Sequence, residues 1–99
     1  MVVNWEVFKT GTPAEVEAEI EKLPEGTGLE RKEDGRTPLM WAATLNTNPD
    51  ALSVLIKAGA ELEAIDEEGV TSLMIASRYN TSEVVSVLIK AGAEIEARH

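Results

Sequence analysis

The chain contains no cysteine, a single histidine and few aromatic residues: two tryptophans, one tyrosine and one phenylalanine. Without cysteine there is no disulfide framework, thiolate nucleophile or thiolate zinc site, which fits a reducing, cytoplasmic setting. The lone His99 follows Arg98 at the end of the sequence, so no Ser-His-Asp or Cys-His arrangement is expected. It reads as a tag or boundary remnant. Positive charge is scarce as well: nine Lys and Arg face eighteen Asp and Glu, giving a net charge of −9 and a pI near 4.5. Nucleic-acid phosphates demand clustered Lys and Arg, so nucleic acid is excluded as a partner, and so is an anionic membrane surface. A basic protein suits this charge, although the surplus also serves solubility alone. No apolar run approaches the roughly 20 residues of a membrane span, and Met1-Val2-Val3-Asn4 begins no signal peptide.

Cofactor and metal motifs are missing too. Gly26-Thr27-Gly28 lacks the third glycine and the preceding strand of a phosphate cradle. Asp66-Glu67-Glu68-Gly69 departs from calcium-loop spacing and reads as a solvated acidic turn. No catalytic group, metal or cofactor is expected.

What the chain does have is one phrase written twice. GRTPLMWAATLNTNPDALSVLIKAGAELEA at 35–64 returns as GVTSLMIASRYNTSEVVSVLIKAGAEIEA at 69–97. Dropping one residue near Asn48 leaves eighteen of twenty-nine positions identical, with a step of 34 at Gly35/Gly69 and 33 at Lys57/Lys90. A period in this range marks a stacked helical repeat. Within each copy the grammar is the same. Thr37-Pro38 opens a short helix, with Thr as N-cap and Pro where no amide donor is needed. Asn46-Thr47-Asn48-Pro49 breaks it and caps a second helix running from about Pro49 to Ala58. Lys57 suits the negative end of that helix, and Gly59 supplies a left-handed C-cap. A polar link through Glu61–Gly69 follows, anchored by Leu62 ahead of Ile65 and ending in a turn.

A degenerate copy precedes these two. Lys9-Thr10-Gly11-Thr12-Pro13 is read as the turn between its helices, and Ala14 to Leu23 as its second helix. Val16, Ala18, Ile20 and Leu23 are expected to point inward, and Glu15, Glu17, Glu19 and Glu21 largely outward. Trp5, Val7 and Phe8 occupy the places of Met40, Ala42 and Ala43, bulk that suits a terminal repeat. The doublets Leu55/Ile56 and Leu88/Ile89 are expected to dominate the core.

On Thr37-Pro38-Leu39-Met40-Trp41-Ala42-Ala43, Val54-Leu55-Ile56-Lys57-Ala58-Gly59-Ala60 and the repeat step, the chain resembles the ankyrin-repeat proteins. The resemblance is strong over 35–97 and weaker over 4–34. It implies an all-α fold: an ankyrin-type helix-turn-helix solenoid of three stacked repeats joined by short hairpin-like links. One domain over 1–99 is expected, with repeats at about 4–34, 35–68 and 69–97. Met40 and Met74 stand where the family carries histidine, so soft apolar packing replaces that histidine's hydrogen bonds. Glu61 and Glu94 replace the usual aspartate. Glu63 and Glu96 replace the asparagine that some oxygenases hydroxylate, so that modification does not carry over.

The resemblance further implies a non-catalytic module that binds another protein on its concave face. By the family pattern, the link tips are Glu33, Asp34 and Arg36, then Glu67, Glu68 and Val70. The groove-facing positions of the first helices are Trp41, Thr44 and Leu45, then Ile75, Arg78 and Tyr79. Trp, Tyr and Arg commonly anchor interfaces, yet Trp41 and Ile75 also read as packing residues and Tyr79 as exposed turn filler. The alternative is a structural or engineered scaffold fragment of a longer array with no ligand of its own. Repeat three has no polar outer side, so either more repeats follow it or it associates weakly with another molecule.

Overall fold

The computed structural model describes residues 3–23 and 28–92. Three helical hairpins follow one another: α1 (Trp5–Thr10) with α2 (Pro13–Glu21), α3 (Pro38–Leu45) with α4 (Pro49–Lys57), and α5 (Ser72–Tyr79) with α6 (Ser82–Lys90). A single 3₁₀ turn at Gly28–Glu30 precedes α3. The first helices pack in the order α1, α3, α5, and the second helices in the order α2, α4, α6. Two layers result, with the core between them.

Five of the six described helices, α2 to α6, start where a side chain can cap them. The Oγ1 atoms of Thr12, Thr37, Thr71 and Thr81 accept the backbone N–H three residues on, at 3.2–3.4 Å. Glu15 returns a bond to the Thr12 N–H, completing a capping box. Pro13, Pro38 and Pro49 fill the first helical positions. At the far end of α4, Gly59 has φ 104°. Its N–H bonds to Ile56 O while Ala60 N–H bonds to Leu55 O, a Schellman closure that only glycine makes without strain. The link at Glu33–Arg36 is a two-residue hairpin, with Asp34 at φ 53° and Gly35 at φ 80°, as Asp-Gly favours.

Ala42, Ala43 and Ala76 are fully buried, and their small side chains let the first helices approach closely. That approach hides polar backbone. Asn46, buried at the end of α3, donates through Nδ2 to Phe8 O at 3.2 Å and Gly11 O at 3.0 Å. Asn80, its equivalent at the end of α5, donates to Ala43 O and Asn46 O, both at 2.9 Å, and more distantly to Ala42 O. In the second and third repeats one amide thus serves carbonyls at the end of the first helix of the repeat before it.

Four expectations from the sequence need correction. Lys9 and Thr10 belong to α1, and α2 spans Pro13–Glu21. The inward side of α2 is Val16, Glu19, Ile20 and Leu23, while Ala18 is exposed. This is the i, i+3, i+4, i+7 series of a helix; assigning the glutamates largely outward contradicted it. Glu19 is 3% exposed, and its carboxylate accepts the Asn4 N–H at 2.9 Å and meets Lys22 at 3.4 Å. It thereby serves an open amide at the start of α1. The aliphatic doublets also divide: Leu55 and Leu88 are fully buried, whereas Ile56 is half-buried and Ile89 exposed. The link around Pro24–Thr27 lies outside the described residues.

Asn80→Ala removes the donor from Ala43 O and Asn46 O, while Ala42 O keeps the Asn46 N–H, and the cost is expected at about 1–3 kcal/mol. Urea unfolding should show a lower midpoint, and Asn80→Asp should be at least as harmful because it sets a carboxylate against carbonyl oxygens.

Candidate interaction site

The links and the first helices share one side of the stack, and a row of charge and aromatic contacts runs across it. Trp41, half-buried on α3, donates its Nε1–H to Glu33 O at 3.0 Å. Lys9 Nζ lies 4.4 Å from its ring centroid and Arg36 Cζ 5.2 Å. Lys9 also meets Glu33 at 3.3 Å and Glu6 at 3.4 Å. Arg36 donates to Thr44 Oγ1 at 3.1 Å and reaches Asp66 Oδ2 at 3.8 Å. Asp66 uses its other oxygen to accept the Glu68 and Val70 N–H groups at 2.8 and 3.0 Å, which shapes the second link. The row therefore runs from α1 through α3 to the link before α5.

Magnitudes order these contacts. An ion pair 3.8 Å long adds little beside a hydrogen bond, and surface pairs give about 0–1 kcal/mol. Two cations over one partly desolvated indole contribute roughly 0.5–2 kcal/mol each. The ring, rather than the pairs, holds this row together. Burial alone would lower the Lys9 pKa, but hydrogen bonds and attraction from Glu33 and Glu6 outweigh it and raise it above the ordinary 10.5.

The next row keeps a glutamate at Glu67, equivalent to Glu33, but differs at three other positions. Val70 replaces Arg36, Ile75 replaces Trp41, and Arg78 replaces Thr44. A groove of about 270 Å³ opens there, lined by Arg36, Asp66, Glu68, Val70, Met74, Ile75, Arg78 and Tyr79. Six of the residues expected at a site thus meet in one place. Tyr79 is 63% exposed, and Leu45, at the equivalent place on α3, is 49% exposed. Leu45 lines a separate hollow with Thr10, Thr12 and Thr47. Asp34, Glu67 and Glu68 are exposed at the link tips, Glu33 is half-buried, and Thr44 is held between Arg36 and Met40 O. Ile75 is corrected: at 2% exposure it belongs to the core and offers a partner almost nothing. Trp41 is equally occupied by Lys9, Arg36 and Glu33, so its removal would disturb the fold as well as any interface.

Lys9, Glu6 and Asp66 were missed as members of this side. Lys9 was legible in principle, because it aligns with Thr44 and Arg78 once Gly11, Asn46 and Asn80 are recognised as equivalent helix ends.

A family model for ankyrin repeats, in three copies, matches residues 14–99. The chain belongs to the ankyrin-repeat family. A search of curated proteins returned no match. Ankyrin-repeat domains are generally protein–protein interaction modules and typically non-catalytic. Among the described residues of this ankyrin-repeat protein, no helix is long and apolar enough to cross a membrane.

Because the Lys9 pKa is raised, the stabilisation it supplies is complete below the ordinary 10.5 and is lost as pH rises through the higher folded value. The urea midpoint of the wild type should therefore approach that of Lys9→Met above that pH and exceed it at neutrality. Trp41→Phe keeps a ring but loses the Nε1–H donor and leaves Glu33 O short of one partner. A loss of about 1–2 kcal/mol is expected by the same assay.

Proposed function

We propose that residues 1–99 act as one non-catalytic binding unit in a cytoplasmic setting, taking a protein partner on the concave side formed by the links and first helices. The observation that carries this reading is the pair Leu45 and Tyr79, large apolar groups left exposed at equivalent places on adjacent helices. Glu68 lines the groove with Tyr79, and Asp34, Glu67 and Glu68 are exposed at the link tips without a cation within ion-pair distance among the described residues. A basic partner segment fits those carboxylates, which would speed its approach and select its sign.

A structural role within a longer array is a second reading, favoured by the outward side of α5 and α6. There Ile89 is exposed and Met74 and Val85 are only half-buried. Weak self-association through this side would fit it.

Leu45→Ser with Tyr79→Ser touches no core residue, so melting should stay within about one degree of wild type. Capture of the protein recovered by the immobilised wild-type chain should fall about tenfold or more and weaken in high salt. Equal capture by both forms removes the interaction surface; concentration-dependent sedimentation relieved by Ile89→Lys would instead favour the array reading.

A further inference from the structure

We infer that Arg78 sets the register of the partner by demanding one carboxylate within an otherwise basic segment. This rests on the reading just proposed and concerns the same side of the molecule. The residues aligned with Arg78 are committed elsewhere: Lys9 to Glu6 and Glu33, Thr44 to Arg36 and Met40 O. Arg78 has neither. Its guanidinium lies 5.9 Å from the Tyr79 ring centroid, and among the described residues no carboxylate comes within 4.0 Å of it. Glu68 lines the same groove without reaching it, and Asp66 is taken by Arg36 and two backbone amides.

The groove is therefore a short dipole: a cation on α5 with no acid within ion-pair distance among the described residues, carboxylates on the link, and Val70, Met74 and Tyr79 as apolar lining. A free anion would be repelled by a chain of net charge −9. A carboxylate carried among Lys and Arg side chains escapes that repulsion, because its neighbours meet Glu67, Glu68 and Asp34 while it meets Arg78. The fitting occupant is an extended segment with an Asp or Glu beside an apolar residue, flanked by basic ones. A bidentate guanidinium–carboxylate pair at that point fixes position along the groove more sharply than scattered link charges can.

The test is selection from a phage-displayed library of random peptides on immobilised wild type and on Arg78→Glu, both shown to melt alike. Wild type should enrich basic peptides with one acidic residue at a fixed place, and Arg78→Glu should enrich Lys or Arg at that place. A synthetic wild-type winner should bind Arg78→Gln about tenfold more weakly, with no further loss when its acidic residue is changed to Gln. Basic winners without a fixed acid, or the same winners on both baits, overturn the register role but leave the interaction reading standing. No enrichment also overturns the register role, whereas the interaction reading falls only with the Leu45/Tyr79 capture assay. Salt-sensitive dimers abolished by Arg78→Glu would give the groove to a second copy and overturn the inference.

Discussion

Everything in this fold depends on hydrogen bonds that cross from one repeat to the next. Helices of six to nine residues are too short to persist alone in water. They last only when stacked, and close stacking through Ala42, Ala43 and Ala76 shields the carbonyls at the ends of α1 and α3. An unpaired buried carbonyl costs about as much as a core methylene or more, so the stack is tolerable only because Asn46 and Asn80 reach back to fill the gap. The amide is directional where apolar packing is not. It fixes how far each hairpin can slide along its neighbour, and with that the alignment of the links.

That alignment explains why the row through Trp41 exists. With α1, α3 and α5 in register, Lys9, Thr44 and Arg78 fall at the same height, and so do Arg36 and Val70. In the first interval the sequence supplies two cations, an indole and three carboxylates, which consume one another. In the second interval, changes at three equivalent positions leave Val70 and Ile75 with nothing to pair and Arg78 with no acid in reach among the described residues. On the proposed reading, binding capacity in this solenoid is a matter of what a row fails to neutralise. The same backbone gives a structural brace in one interval and a groove in the next.

Much of this was legible in the residues, and the limits have a physical pattern. Thr37-Pro38, Asn48-Pro49 and Gly59 announce helix starts and stops because those signals act within one turn of backbone, and the structure bears them out. The repeat step placed Leu55 and Leu88 inside. Contacts across repeats were harder. Asn46 reads locally as a helix breaker, and nothing nearby says that its amide spans 35 and 38 residues to Gly11 and Phe8. Glu19 shows the reverse error: its chemistry argued for solvent while its helical position argued for the core. Position won because an open backbone amide at Asn4 gave the buried carboxylate a partner. Ile75 was given to the groove by family pattern, and the core claimed it because a branched aliphatic is worth roughly 1.5–3 kcal/mol inside.

The acidity of the chain has a sharper meaning once the pairs are known. Lys9, Lys22 and Arg36 are spent on Glu6, Glu33, Glu19 and Asp66, so they soften the field only beside their own partners. At the link tips, Asp34, Glu67 and Glu68 have no cation within ion-pair distance among the described residues. At physiological salt, attraction between exposed charges fades over about 8 Å. On the proposed reading, the tips would draw in a basic segment and orient it coarsely, but they would not choose between one basic segment and another. Discrimination must come from contacts shorter than that screening length and partly shielded from water. Among the twelve positions singled out on this side, Tyr79 and Leu45 contribute apolar area and Arg78 contributes the single charge of opposite sign that remains unspent. A surface that is attractive everywhere is unselective; on the reading proposed for Arg78, one repulsive demand within it, satisfied only by a correctly placed carboxylate, would separate partners.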